Sequence, residues 1–139
     1  MKKITVADVE FIAFDLAKEW LGKYEPIPDF GTRFPNILEG CLVAPFQMFN
    51  QKSLYPGLIE KAAILFYFLI KNHPFQNGNK RIAMTTLLCF LYRNKKWLEV
   101  NDYKLYQFAL QVAGSLPESK DAIVQDTARF IRTYITELR

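Results

Sequence analysis

Two long apolar segments, residues 60–72 (EKAAILFYFLIKN) and 82–92 (IAMTTLLCFLY), contain neither glycine nor proline and stand nine residues apart. Runs this apolar and this uninterrupted are predicted to form buried helices, and they form the centre about which the rest of the chain is arranged. What joins them is polar: His73-Pro74-Phe75-Gln76-Asn77-Gly78-Asn79-Lys80-Arg81, carrying the chain's single histidine. Pro74 biases the residue before it away from helix and so ends the first segment. Gly78, flanked by two asparagines, permits the positive φ of a tight loop. The loop therefore leads directly into the N-terminus of the second helix.

A helix N-terminus presents backbone amides and about half a positive charge, and Lys80 and Arg81 add two full charges there. Phosphate is the natural guest of such a place. A nest of amides around Asn77-Gly78-Asn79, basic side chains and one histidine are the parts that phosphoryl or nucleotidyl transfer needs. The same residues also suit a plain capped loop between helices.

The nonapeptide resembles the signature of the Fic/Doc family, H-x-F-x-(D/E)-G-N-x-R, which lies between two helices of an all-α core. His73, Phe75, Gly78, Asn79 and Arg81 fall in register, and the Asn-Lys-Arg run is similar to the Doc branch, where Fic enzymes carry Asn-Gly-Arg. Two positions depart from the Fic pattern. Asn77 stands in the acidic place that helps to hold magnesium, and Met84 stands where Fic adenylyl transferases have a second arginine.

The resemblance implies roles. His73 is the general base toward a hydroxyl of a protein target, which suits an imidazole with an ordinary pKa of ~6.5. Phe75 anchors the loop in the core. Gly78, Asn79, Lys80 and Arg81 hold the phosphates of ATP, and Asn77 is left as a weak, uncharged ligand for Mg²⁺. Residues 44–55 (APFQMFNQKSLY), short and aromatic without helical period, fit the family's flap, which docks the target by strand addition and here contains Phe46, Gln47, Met48 and Phe49. An ordinary connecting loop with its aromatic side chains packed inward fits the same residues.

At 139 residues and 50% hydrophobic content the chain suits one domain, expected over residues 4–138, with a genuine core. No leader-like segment opens it, and its longest apolar run is shorter than the roughly 20 residues a bilayer needs, so a cytoplasmic protein is expected. Cys41 and Cys89 stand in apolar surroundings and read as core filler. The net charge of +4 is spread over several segments, which disfavours a nucleic-acid interface.

Taken in order, Thr5 with Asp8 predicts a capping box that opens a helix running to about Leu21 and closed by Gly22, with Val6, Val9, Ile12, Phe14, Leu16, Ala17 and Trp20 on its apolar side. Residues 23–35 carry three prolines and form a loop. Asn36, with Glu39 three residues on, is predicted to cap a short helix ending before Pro45. Residues 97–100 are at most a short extended segment. Asn101 or Asp102 opens a helix to about Ala113, stopped by Gly114, and Pro117 and Ser119 start a last helix whose apolar positions run on through Ile131, Ile135 and Leu138. The expected fold is an all-α bundle of about six helices, with the flap ahead of the central helix-loop-helix.

Three functions fit these residues. A Doc-like protein kinase would move the γ-phosphoryl of ATP to a Ser or Thr hydroxyl, with translation elongation factor Tu as the target the resemblance suggests and a separate antitoxin as its regulator. Thr133 and Glu137 match the spacing of a family inhibitory helix only weakly, which favours such a separate partner. A Fic-type adenylyl transferase is the second reading, and a catalytically degenerate binding module is the third.

Overall fold

A computed structural model describes residues 1–20 and 26–138. Six helices are present among them, with only short strands, so the expected all-α fold is what the chain adopts. The first, α1, runs without a break through Val6–Asp8, a π-helical turn at Val9–Ala13, and Phe14–Trp20. Thr5 and Asp8 form the capping box: Asp8 N–H donates to Thr5 Oγ1 at 3.1 Å and Thr5 N–H donates to Asp8 Oδ2 at 2.9 Å. The π-turn inserts an extra residue into the helical count, so the buried set is Val9, Ala13, Phe14 and Ala17, while Ile12, expected on the apolar side, is exposed. Leu21 and Gly22, expected at the end of α1, lie outside the described residues.

Helix α2 spans Pro35–Val43 with Phe34 as its N-cap residue. That corrects the expectation for Asn36: the fixed φ of Pro35 at the first helical position sets the start, with the cap two residues earlier. A 3₁₀ turn at Ala44–Phe46 follows, then an antiparallel hairpin of β1 (Met48–Phe49) and β2 (Lys52–Ser53). Its turn residues Asn50 and Gln51 have φ of 51° and 64°, the positive pair that matches the twist of a two-residue hairpin loop.

Helices α3 (Leu58–Lys71) and α4 (Asn79–Arg93) pack side by side in the middle of the core. Nearly every residue of α4 from Asn79 to Leu91 is buried, so the absence of a polar face in the sequence corresponds to a helix covered on all sides. Besides α3, helix α1, a short strand and a fifth helix supply that cover, while a sixth helix covers α3. Strand β3 (Lys96–Leu98) packs on α4. Helix α5 (Asp102–Ala113), capped by Asn101 through a 2.7 Å bond from Lys104 N–H, buries Leu105, Ala109 and Val112. Helix α6 (Lys120–Tyr134) lies along α3. Phe66, Phe108 and Phe130 stack in succession across α3, α5 and α6, with centroids 6.4 and 4.4 Å apart.

The last helix is shorter than its apolar spacing predicts. Residues Ile135–Glu137 leave the helix as β4 and pair antiparallel with β3, Leu98 opposite Ile135 and Lys96 opposite Glu137. The backbone of β3 would otherwise present an unpaired edge, and β4, with Leu138 N–H on Lys95 O at 3.1 Å, satisfies it. Glu137 therefore sits on a strand bridged to Lys96, not on a helix with Thr133. No helix among the described residues is long and apolar enough to cross a membrane.

Candidate active site

The polar loop between α3 and α4 is held by its own side chains. Phe75 is buried, its ring in edge contact with Phe14 of α1 at 5.2 Å and tilted against Phe30 at 6.3 Å. Asn79, on the first turn of α4, reaches back to the same residue: Phe75 N–H donates to Asn79 Oδ1 at 3.0 Å, and Asn79 Nδ2 donates to Phe75 O at 2.9 Å. Between them the chain turns at Gly78, whose φ of 72° favours glycine. A Cβ there would stand 2.7 Å from the carbonyl oxygen of Pro26, a backbone atom with little freedom to retreat.

On the outer side the loop is open. His73 is exposed and has a φ of 51°, an uncommon conformation for a residue with a side chain. The next carbonyl, of Pro74, accepts a 2.9 Å bond from Phe34 N–H at the start of α2, which fixes the turn just after the imidazole. His73, Gln76, Asn77, Gly78, Asn79 and Lys80 share a depression of about 230 Å³, closed on its far side by Ile70 and by Ala113 at the end of α5. Lys71 secures that wall, donating to Ala113 O at 3.2 Å and Ser115 O at 2.6 Å, where the cation also meets the negative end of α5.

Not every expected phosphate ligand faces this depression. Arg81 is 2% exposed, and its Nη2 donates to Ala17 O in α1, so the guanidinium points into the core. The side chain of Asn79 is committed to Phe75. In this structure both side chains brace the loop from behind, because α4 enters the core at its first turn. Gly78 and Lys80 do line the depression. Met84 is fully buried among apolar side chains, so no cation stands at that position.

The parts that remain fit an anion: the start of a fifteen-residue helix, a glycine where a side chain would collide, and a lysine on the first turn. They fit a divalent cation poorly. Asn77 and Gln76 offer neutral amide oxygens, and among the described residues no carboxylate lines the depression and no three His, Cys, Asp or Glu side chains cluster.

The second half of the region lies between the loop and the hairpin. Asn72, next to His73, and Gln47, leading into β1, line one groove of about 490 Å³ with Asn36, Ile37, Gly40 and Phe68. Cys41 is buried at its edge, where loss of solvent pushes its thiol up to about 11 against a smaller opposite pull from an Asn72 hydrogen bond. Of the flap residues, Phe46 packs inward with its ring on Phe90 at 6.2 Å, whereas Met48 and Phe49 are 61% and 67% exposed. The segment therefore has an inward base and an outward tip. Sequence reasoning did not identify Lys71, Gln76 or Ala113 as part of the site. The tie from Lys71 to the end of α5 spans more than 40 positions, and no local pattern announces it.

Neither the curated proteins nor the solved structures gave a match to this chain. The family model described as Fic/DOC family matches residues 4–91, well over half of the chain and inclusive of the whole His73 loop. Members of that family are typically protein-modifying transferases that use ATP with Mg²⁺. On the extent of that match and the helix-loop-helix at its centre, the chain belongs to the Fic/DOC family.

Proposed function

We propose that this protein is a kinase of the Doc type, moving the γ-phosphoryl group of ATP onto a Ser or Thr hydroxyl of a protein target. The observation that carries the reading is the pairing of an exposed His73 with the anion-favouring start of α4 in one depression. A target hydroxyl laid along the groove beside Asn72 meets the imidazole, a ring nitrogen of His73 takes the hydroxyl proton, and the oxygen attacks the γ-phosphorus. The bond from that phosphorus to its bridging oxygen breaks, and ADP leaves with the negative charge. Gly78, the backbone at Asn79 and Lys80 stabilise the charge on the transferring group, while Phe75, Arg81 and the Asn79 side chain keep those parts in place. Asn77 would offer only an uncharged oxygen to a magnesium ion brought in by the nucleotide, whose charge the phosphates themselves would have to balance.

The choice of the γ-phosphate rests on what flanks the helix start. Lys80 occupies the position of the second glycine of Fic adenylyl transferases and narrows the seat at the first turn. Met84, buried and apolar, leaves the deep ligand of the terminal phosphates missing. Both changes favour a nucleotide whose γ-phosphate faces His73. Adenylyl transfer is the alternative activity, and translation elongation factor Tu is the target and a small antitoxin the regulator that the Doc likeness suggests.

Substitution tests the base. His73→Ala is expected to reduce transfer to protein by ~10²-fold or more while the unfolding midpoint stays in place, because the side chain is exposed. Retained activity in the variant would remove His73 from the reaction.

A further inference from the structure

Lys61 is the one buried lysine among the described residues, 6% exposed on α3, and among those residues no carboxylate pairs with it. Its partners are all parts of the flap segment. The ammonium donates to Ser53 Oγ at 2.9 Å and to the carbonyl of Tyr55, and it stands 5.4 Å from the centroid of the Phe46 ring. Phe46 precedes β1, Ser53 closes β2 and Tyr55 follows it, so one charge joins both legs of the hairpin at its base. An ammonium has three donor directions, and two of them are used on this segment, with the Phe46 ring beside them.

Among the described residues the hairpin's other ties include the Phe46 ring on Phe90 at its base and a 3.0 Å bond from Leu54 N–H to Gln47 O. Its strands are two residues each, shorter than anything that is stable alone, and Met48 and Phe49 turn outward instead of packing. Burying an ammonium without a counter-charge is unfavourable, and a Leu or Met at position 61 would fill the same space at less expense. What the lysine adds is direction. Ser53 Oγ, which also receives Tyr55 N–H at 3.3 Å, is placed by it, and Ser53 is the partner of Met48 in the hairpin register.

We propose that Lys61 is a positioning residue that fixes the hairpin in the pose from which it docks the protein target, and so governs target recognition without touching nucleotide chemistry. The docking part rests on the reading of residues 44–55 as the target-docking flap, while the anchoring part stands on the geometry alone.

Two variants and two measurements separate these parts. Lys61→Met keeps the apolar stem and removes every donor, and Ser53→Ala removes one acceptor at a half-exposed position where folding is not at risk. Amide hydrogen exchange is followed across the chain. Transfer of γ-labelled phosphate into lysate protein is followed at rising lysate concentration, with ATP affinity measured separately.

Lys61→Met is expected to speed exchange at Leu54 and Tyr55 by about tenfold or more while α4 is unaffected, since a charge-assisted bond is lost. The lysate concentration for half-maximal labelling should rise by a similar factor, with the maximal rate and ATP affinity unchanged; Ser53→Ala should move both in the same direction by less. Unchanged exchange in 47–55, or acceleration spread equally over α4, would overturn the proposal. So would a loosened hairpin with unaltered half-saturation. A wild-type chain that labels no protein removes the proposed function instead, and hydrogen exchange then decides the anchoring role by the same criterion.

Discussion

Arg81 shows what a motif leaves open at the level of a single residue. Its type and spacing announce a phosphate ligand, yet in the structure it is buried and satisfies Ala17 O. Arg81→Ala is therefore expected to lower the unfolding free energy by about 3 kcal/mol, through a lost buried hydrogen bond and a space left empty. Urea denaturation measures this directly. Full stability together with lost ATP affinity would mean that the guanidinium turns outward to the nucleotide. The sequence did contain a hint: residues 82–92 have no polar face, so a side chain three positions into that helix has little chance of reaching water. The residue types of the loop were legible, and so was the inward anchor Phe75; the direction of Asn79 and Arg81 was not, because it depends on where α1 and the residues around Pro26 come to lie.

At the scale of elements, two glycines have opposite expected effects. Gly78 has positive φ and a backbone oxygen 2.7 Å from any added Cβ, so Gly78→Ala should cost about 2 kcal/mol or more and loosen the loop. Gly40 lies inside α2 with nothing within 4 Å of an added Cβ, so Gly40→Ala should raise stability by roughly 0.5–1 kcal/mol. Thermal or urea unfolding of the two variants tests both signs at once, and a stabilised Gly78→Ala would contradict the loop geometry. Helices α3 and α4 could be read from the sequence because they lack any polar face. The hairpin and the β3–β4 pair could not, since strands of two or three residues carry no periodicity and β4 continues the apolar spacing of the helix before it.

At the scale of the molecule, the core is what makes the site possible, and its two thiols report on it. Burial pushes Cys41 and Cys89 from 9.0 up to about 11, which agrees with their reading as core filler. The folded chain thus keeps protons that the unfolded chain gives up once pH passes 9.0. Stability from this source is complete below that pH and declines as pH rises toward about 11. Urea midpoints in reducing buffer across this interval should fall; a flat profile would mean that the thiols are hydrated. The same core carries α5 to the wall of the His73 depression from beyond the matched residues 4–91, a placement that only long-range packing sets.

The central claim is that the γ-phosphate faces His73. Incubation with lysate proteins and ATP labelled either at the γ- or at the α-phosphate tests it in one comparison. Label from the γ-position should enter protein and label from the α-position should not. Transfer of the α-label alone would contradict the account and make the protein a nucleotidyl transferase.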